Sequence, residues 1–172
     1  MFLTLLIEAL NLMHPRFALA GGREYSADEA AEPPAARKFR ERSVLLEFYH
    51  EFRRLWDQAY PVEVGLGHIV IQNEPDGGSR APDLLFWQLG ENGQPSKRLG
   101  AVSFAFLTNP AAIAADLALL ARFHKAQGYP FAVSILVGRR ADFTPPALPA
   151  GVGCLFFDID RWLVAVSEPA SP

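Results

Sequence analysis

Residues 99–110 read Leu99-Gly100-Ala101-Val102-Ser103-Phe104-Ala105-Phe106-Leu107-Thr108-Asn109-Pro110. The nearly continuous apolar run 99–107 is the pattern of a strand in the middle of a sheet, where both faces are covered. Asn109 is a good N-cap and Pro110 a good first helical residue, so a helix starts where the strand stops. Ile113, Leu117, Leu120 and Phe123 or His124 give that helix its buried stripe. Gly128 stops it, and Tyr129-Pro130 leads into a second apolar strand, Phe131–Val137. A strand–helix–strand unit over 99–137 implies a right-handed parallel crossover.

Upstream, Leu84–Leu89 reads as a strand and Gly90-Glu91-Asn92-Gly93-Gln94-Pro95 as a hairpin loop. Val62–Val64 and His68–Ile71 read as short strands around Gly65-Leu66-Gly67, and Asn73–Ser79 as a turn. These strands are joined by short turns, so they are expected to be antiparallel. Residues 35–59 form the clearest helix, with Phe39, Leu45, Leu46, Phe48, Tyr49, Phe52, Leu55 and Trp56 at three- and four-residue spacings. Residues 2–14 form an extra N-terminal helix that Pro15 ends, and 15–34 form a loop. Downstream come a Pro-rich loop at 144–149, a strand at Gly153–Ile159, and a last strand or short helix at Trp162–Val166. Together these elements predict an α/β (mixed α+β) fold, a central mixed sheet of about five to six strands flanked by helices. One domain covers 1–172: an N-terminal helix and loop (1–34), an α/β core (35–166) and a frayed tail (167–172).

Half of the 172 residues are apolar and thirteen are Phe, enough to build a full core without disulfides or metals. The lone cysteine, Cys154, excludes an internal disulfide and is expected to pack as a small hydrophobe. The net charge of -3 supplies no overall basic surplus for non-specific nucleic-acid binding. Basic residues gather locally at Arg37, Lys38, Arg40, Arg42, Arg53 and Arg54, as a solvated helix face or a nucleic-acid-binding one. Phe2–Ile7 has no basic residues before it, and Glu8, Asn11 and His14 break the apolar pattern after it. It is therefore read as a buried helix rather than a signal peptide or membrane span. A cytoplasmic protein is expected.

The order of helix, antiparallel meander, helix and strand resembles the core of the PD-(D/E)XK nucleases, the restriction-endonuclease-like superfamily. The residues that carry the resemblance are Pro82-Asp83-Leu84-Leu85-Phe86-Trp87, the hairpin, and Leu99–Phe106; it covers about 35–160. In that family an Asp opens the second core strand, an acid-x-Lys triplet lies on the third, and a Glu on the first core helix often completes a Mg²⁺ site. Carboxylate oxygens hold the ion beside the scissile phosphate, and the Lys stabilises negative charge near the attacking water. The resemblance puts Asp83 at the strand acid, as candidate catalytic and metal residue, and Glu47, less readily Glu41, at the helix acid. At the triplet, Ser103 stands for the acid and Ala105 for the Lys. Ser103 supplies no carboxylate and Ala105 no charge, so the implied family member is degenerate.

Relocated groups would have to come from Glu63, His68, Glu74 and Asp76, or from Lys97, Arg98, His124 and Lys125. Without them, Asp83 is a strand-end residue accepting backbone hydrogen bonds. His50 lacks the second His of a paired-His zinc motif. Asp158 and Asp160, with Arg161, read as a solvated strand end. Ser103 and Ser134 lack a hydrolase nucleophile's Gly-x-Ser-x-Gly setting. Trp56, Trp87 and Trp162 are expected as core or interface anchors. The expected function is therefore a non-catalytic binding or assembly domain without a cofactor. The apolar N-terminal helix and the many Phe residues suggest a homodimer. The alternatives are a Mg²⁺-dependent nuclease with relocated residues around Asp83, and a nucleic-acid-binding module that does not cut.

Overall fold

The structure is a computed structural model and describes residues 2–15, 41–59, 69–72, 81–90 and 94–168. Its helices are α1 (Phe2–Leu12), α2 (Glu41–Ala59) and α3 (Pro110–Gln127). Its strands are β1 (Ile69–Gln72), β2 (Leu84–Leu89), β3 (Pro95–Phe106), β4 (Phe131–Gly138), β5 (Val152–Asp158) and β6 (Leu163–Glu168). They form one sheet in the order β1-β2-β3-β4-β5-β6. The meander β1-β2-β3 is antiparallel, β3-β4-β5 is parallel, and β6 returns antiparallel to β5. The expected mixed sheet flanked by helices is the one observed.

Alternation along each strand decides which layer a side chain meets. On β3, Val102 and Phe104 face α1 and α2, while Ala101 and Ala105 face the other way. On β5, Leu155 and Phe157 join the α1–α2 core, whereas Cys154 and Phe156 lie on the α3 side. Both faces are covered, which is why these strands read as continuous apolar runs.

The start and stop signals of α3 act locally. The Asn109 side chain accepts a hydrogen bond from the Ala112 amide, and Pro110 comes next. Gly128 takes φ +70°, and its amide donates to the His124 carbonyl, closing the helix in the left-handed conformation that favours glycine. Leu117, Leu119, Leu120 and Phe123 are buried. The β4–β5 connection is not an α-helix. It is a 3₁₀ turn, Arg140–Asp142, and the Pro-rich loop, with Phe143 and Leu148 packed against the α3-side core.

One expectation holds and two change. The N-terminal helix α1 is buried, as expected: Phe2, Leu5, Leu6, Ala9 and Leu10 pack against the sheet and α2. Most of its apolar surface is spent inside the chain, which weakens the main sequence argument for self-association. The last element is a strand that includes Ser167 and Glu168, paired with Leu155 and Cys154, so the ordered core runs past 166. Finally, β3 begins at Pro95, four residues before the apolar run, because its polar start pairs with the end of β2. The expected strand at 62–64, the turn at 73–79 and what was expected of 16–40 lie outside the described residues.

The end of α1 is tied to β6. Asn11 Oδ1 accepts from the Val164 amide at 2.8 Å, and the Trp162 indole donates to the Met13 carbonyl. An edge-strand donor thereby finds an acceptor within the chain rather than on another molecule.

Candidate functional site

The antiparallel register of β2 and β3 ends at Leu84 opposite Val102, and its continuation places Pro82 opposite Phe104. Pro82 lies before the strand and is buried, and Asp83 beside it is half-buried. The Asp83 carboxylate turns onto β3, where Oδ2 accepts the Phe104 amide at 2.6 Å. A side-chain oxygen thus extends the backbone ladder past the last paired residue of β2. A short charge-assisted bond of this kind is stronger than a neutral one.

Facing this end of β2, β3 carries Ser103 and Ala105, both buried beneath α3. Ser103 is in register with Ser134 on β4, and Ser134 with Cys154 on β5. All three are buried, and the Ser134 hydroxyl has no hydrogen-bond partner among the described residues. This row of three contains no carboxylate and no amine.

Glu47, the candidate helix acid, is engaged at the end of α1, where Oε1 accepts the His14 amide at 3.2 Å. The Glu41 side chain lies outside the described residues, as do Glu63, His68, Glu74 and Asp76. Among the described residues, no three His, Cys, Asp or Glu side chains are grouped so as to hold a metal ion.

Of the candidate basic face, Arg37, Lys38 and Arg40 lie outside the described residues, as does the Arg42 side chain. Arg53 pairs with Asp57 at 3.2 Å and Arg54 with Glu51 at 2.7 Å, each within α2. His50 is exposed, 3.9 Å from Glu51. Asp158 is a correction: it is only 1% exposed, and Oδ1 accepts the Asp160 amide at 3.0 Å, closing the turn into β6. Asp160 itself is exposed and lies 3.8 Å from Arg139.

At the opposite end of β2 and β3 is a cluster that sequence reading does not assemble. Trp87 and Arg98 are cross-strand partners. The Arg98 guanidinium lies 4.9 Å from the Trp87 ring centroid and 5.7 Å from that of Tyr129. The two rings meet edge to face at 5.6 Å. Burial pushes the Tyr129 hydroxyl pKa up to about 12, and the adjacent Arg98 charge offsets part of that rise. His124 braces the same corner, with Nδ1 2.9 Å from the Tyr129 carbonyl oxygen and its ring against Gly151.

A cleft of about 600 Å³ runs between α3 and the Pro-rich loop, lined by Ile113, Leu117, Pro146 and Pro149 among others. Its polar side chains are Asp142 and Thr144. Among the described residues that lining offers one titratable side chain, Asp142, and so no acid–base pair. Among the described residues, no helix is long and apolar enough to cross a membrane.

No family model, curated protein or solved structure matches the chain.

Proposed function

We propose that this chain is a non-catalytic binding or assembly domain on a degenerate PD-(D/E)XK, restriction-endonuclease-like core. The observation that carries the reading is the engagement of Asp83: the carboxylate a nuclease would turn to Mg²⁺ accepts a backbone amide of β3. The sheet order and the α3 crossover agree with the resemblance. The positions of the acid and Lys hold Ser103 and Ala105, buried where neither can reach an ion as a charge. Glu47 is occupied at the α1 terminus.

The assembly proposed is a homodimer. With the α1 stripe buried, the apolar surface left for it includes Leu12, Leu46, Tyr49 and Leu163, all at least 38% exposed. Sedimentation velocity at micromolar concentration is expected to show a dimer; a monodisperse monomer would remove that part of the proposal.

Magnesium titration tests the non-catalytic part. A ligand that binds only the native state raises the unfolding temperature as its concentration passes the dissociation constant. No saturable rise in Tm is expected with Mg²⁺ or Mn²⁺ at millimolar concentration. A saturable rise that Asp83→Asn abolishes would return the chain to the nuclease alternative.

A further inference from the structure

Around Arg98 the chain gathers hydrogen-bond donors that meet no acceptor among the described residues. The Trp87 indole N–H is buried and has no hydrogen-bond partner among the described residues. The Tyr129 hydroxyl, in a residue only 1% exposed, has the Arg98 guanidinium as a donor to its oxygen, and its own proton meets no acceptor among the described residues. Arg98 itself is exposed, forms no ion pair among the described residues, and lies across both rings. Buried polar groups in folded proteins are almost always satisfied, so two orphaned donors in one cluster require an explanation. An indole can only donate. A tyrosine whose pKa stands near 12 is fully protonated at neutral pH and keeps its proton to donate. A guanidinium with no carboxylate partner among the described residues adds a planar fork suited to two oxygens at once.

We propose that Arg98, Trp87 and Tyr129 form a binding site for a small oxyanion group, a carboxylate or a phosphate. The guanidinium supplies the charge, and the indole N–H and phenol O–H supply the buried donors. The rings hold the guanidinium in place before the ligand arrives, which lowers the ordering cost of binding. This site is at the far end of β2 and β3 from Asp83 and does not rest on the reading of that residue.

The test monitors the indole N–H signals of the three tryptophans by ¹H–¹⁵N correlation spectroscopy, with Trp87→Phe used to assign the Trp87 signal. The full chain is titrated with inorganic phosphate and, separately, with acetate, at constant ionic strength. A saturable shift of the Trp87 indole is expected with at least one of them, and which one assigns the group as phosphoryl or carboxyl. Arg98→Gln is expected to weaken that binding by about tenfold or more, the cost of one charge-assisted contact. Arg98→Lys keeps the charge without the fork and falls between. Lys97→Gln removes a neighbouring exposed charge that is level with Gln88 rather than Trp87 and alternates to the other face of β3, and it leaves the affinity unchanged. No saturable shift with either anion overturns the proposal, as does a shift that Arg98→Gln leaves intact.

Discussion

Replacing Asp83 with Ala removes the acceptor of the Phe104 amide and leaves that amide beside a buried core residue, Phe104 being 1% exposed. Hydrogen bonds to a charged group contribute about 1.5–3 kcal/mol net. Asp83 is half-buried, so water screens part of the interaction and can reach the vacated site. The lower half of the range applies, about 1.5–2 kcal/mol. For a chain of this size each kcal/mol moves the melting temperature by about 2–4 °C, which puts the Asp83→Ala loss at about 3–8 °C. Asp83→Asn keeps an acceptor oxygen without its charge and should lose roughly half as much, since charge assistance about doubles such a bond. Urea unfolding gives the free energies, and amide hydrogen exchange reads the bond itself: protection at Phe104 should fall in Asp83→Ala more than at neighbouring strand amides. If Asp83→Ala stays within about 0.5 kcal/mol of the parent, the scale of an ordinary surface change, and Phe104 keeps its protection, the structural role assigned to Asp83 is wrong.

The same packing predicts other outcomes. Gly151 sits at φ +78°, and a Cβ there would lie 2.2 Å from the His124 ring, so Gly151→Ala should cost at least about 2 kcal/mol in chemical denaturation. His124→Ala in the same chain should recover part of that loss by clearing the clash. Leu6→Ala removes a fully buried side chain from between α1 and the sheet and should destabilise by about 2–5 kcal/mol; a melt that shows this loss marks α1 as core rather than appendage. For Tyr129 the folded pKa, about 12, lies above the ordinary tyrosine value of 10.0. Its contribution to stability is therefore complete below pH 10 and is lost as pH rises towards 12, where the folded state holds the proton more tightly than the unfolded state. Ultraviolet titration against Tyr129→Phe should show this phenol ionising late, and later still in Arg98→Gln, which removes the charge that lowers its pKa.

What could be read before folding was set by local signals and by period. Asn109, Pro110 and Gly128 bound α3 through contacts within a few residues, and the structure ends that helix with the capping they imply. The apolar runs of β3, β4 and β5 announce strands covered on both faces because both faces are apolar but for one small buried serine each on β3 and β4, Ser103 and Ser134. The roles of Asp83, Glu47 and Asp158 were harder to read, because each carboxylate's fate depends on which backbone amide it meets. Glu47 reaches His14 across 33 positions and Asp83 reaches Phe104 across 21, distances over which composition and period are silent. Asp158 looked like a solvated strand end, yet the turn to β6 buries it. The Arg98 cluster left a faint trace, an arginine and a tryptophan on opposite sides of one hairpin. Only the bulged register brings them level, and Tyr129 joins them from beyond α3.

Whether Asp83 has passed from chemistry to architecture is tested most directly by a cleavage assay. The full chain, incubated with Mg²⁺ or Mn²⁺ and a panel of single- and double-stranded DNA and RNA, should cut nothing above the level of an Asp83→Asn preparation. Metal-dependent cleavage by the parent, absent from an Asp83→Asn variant that remains folded, would contradict the structural role and restore a catalytic one.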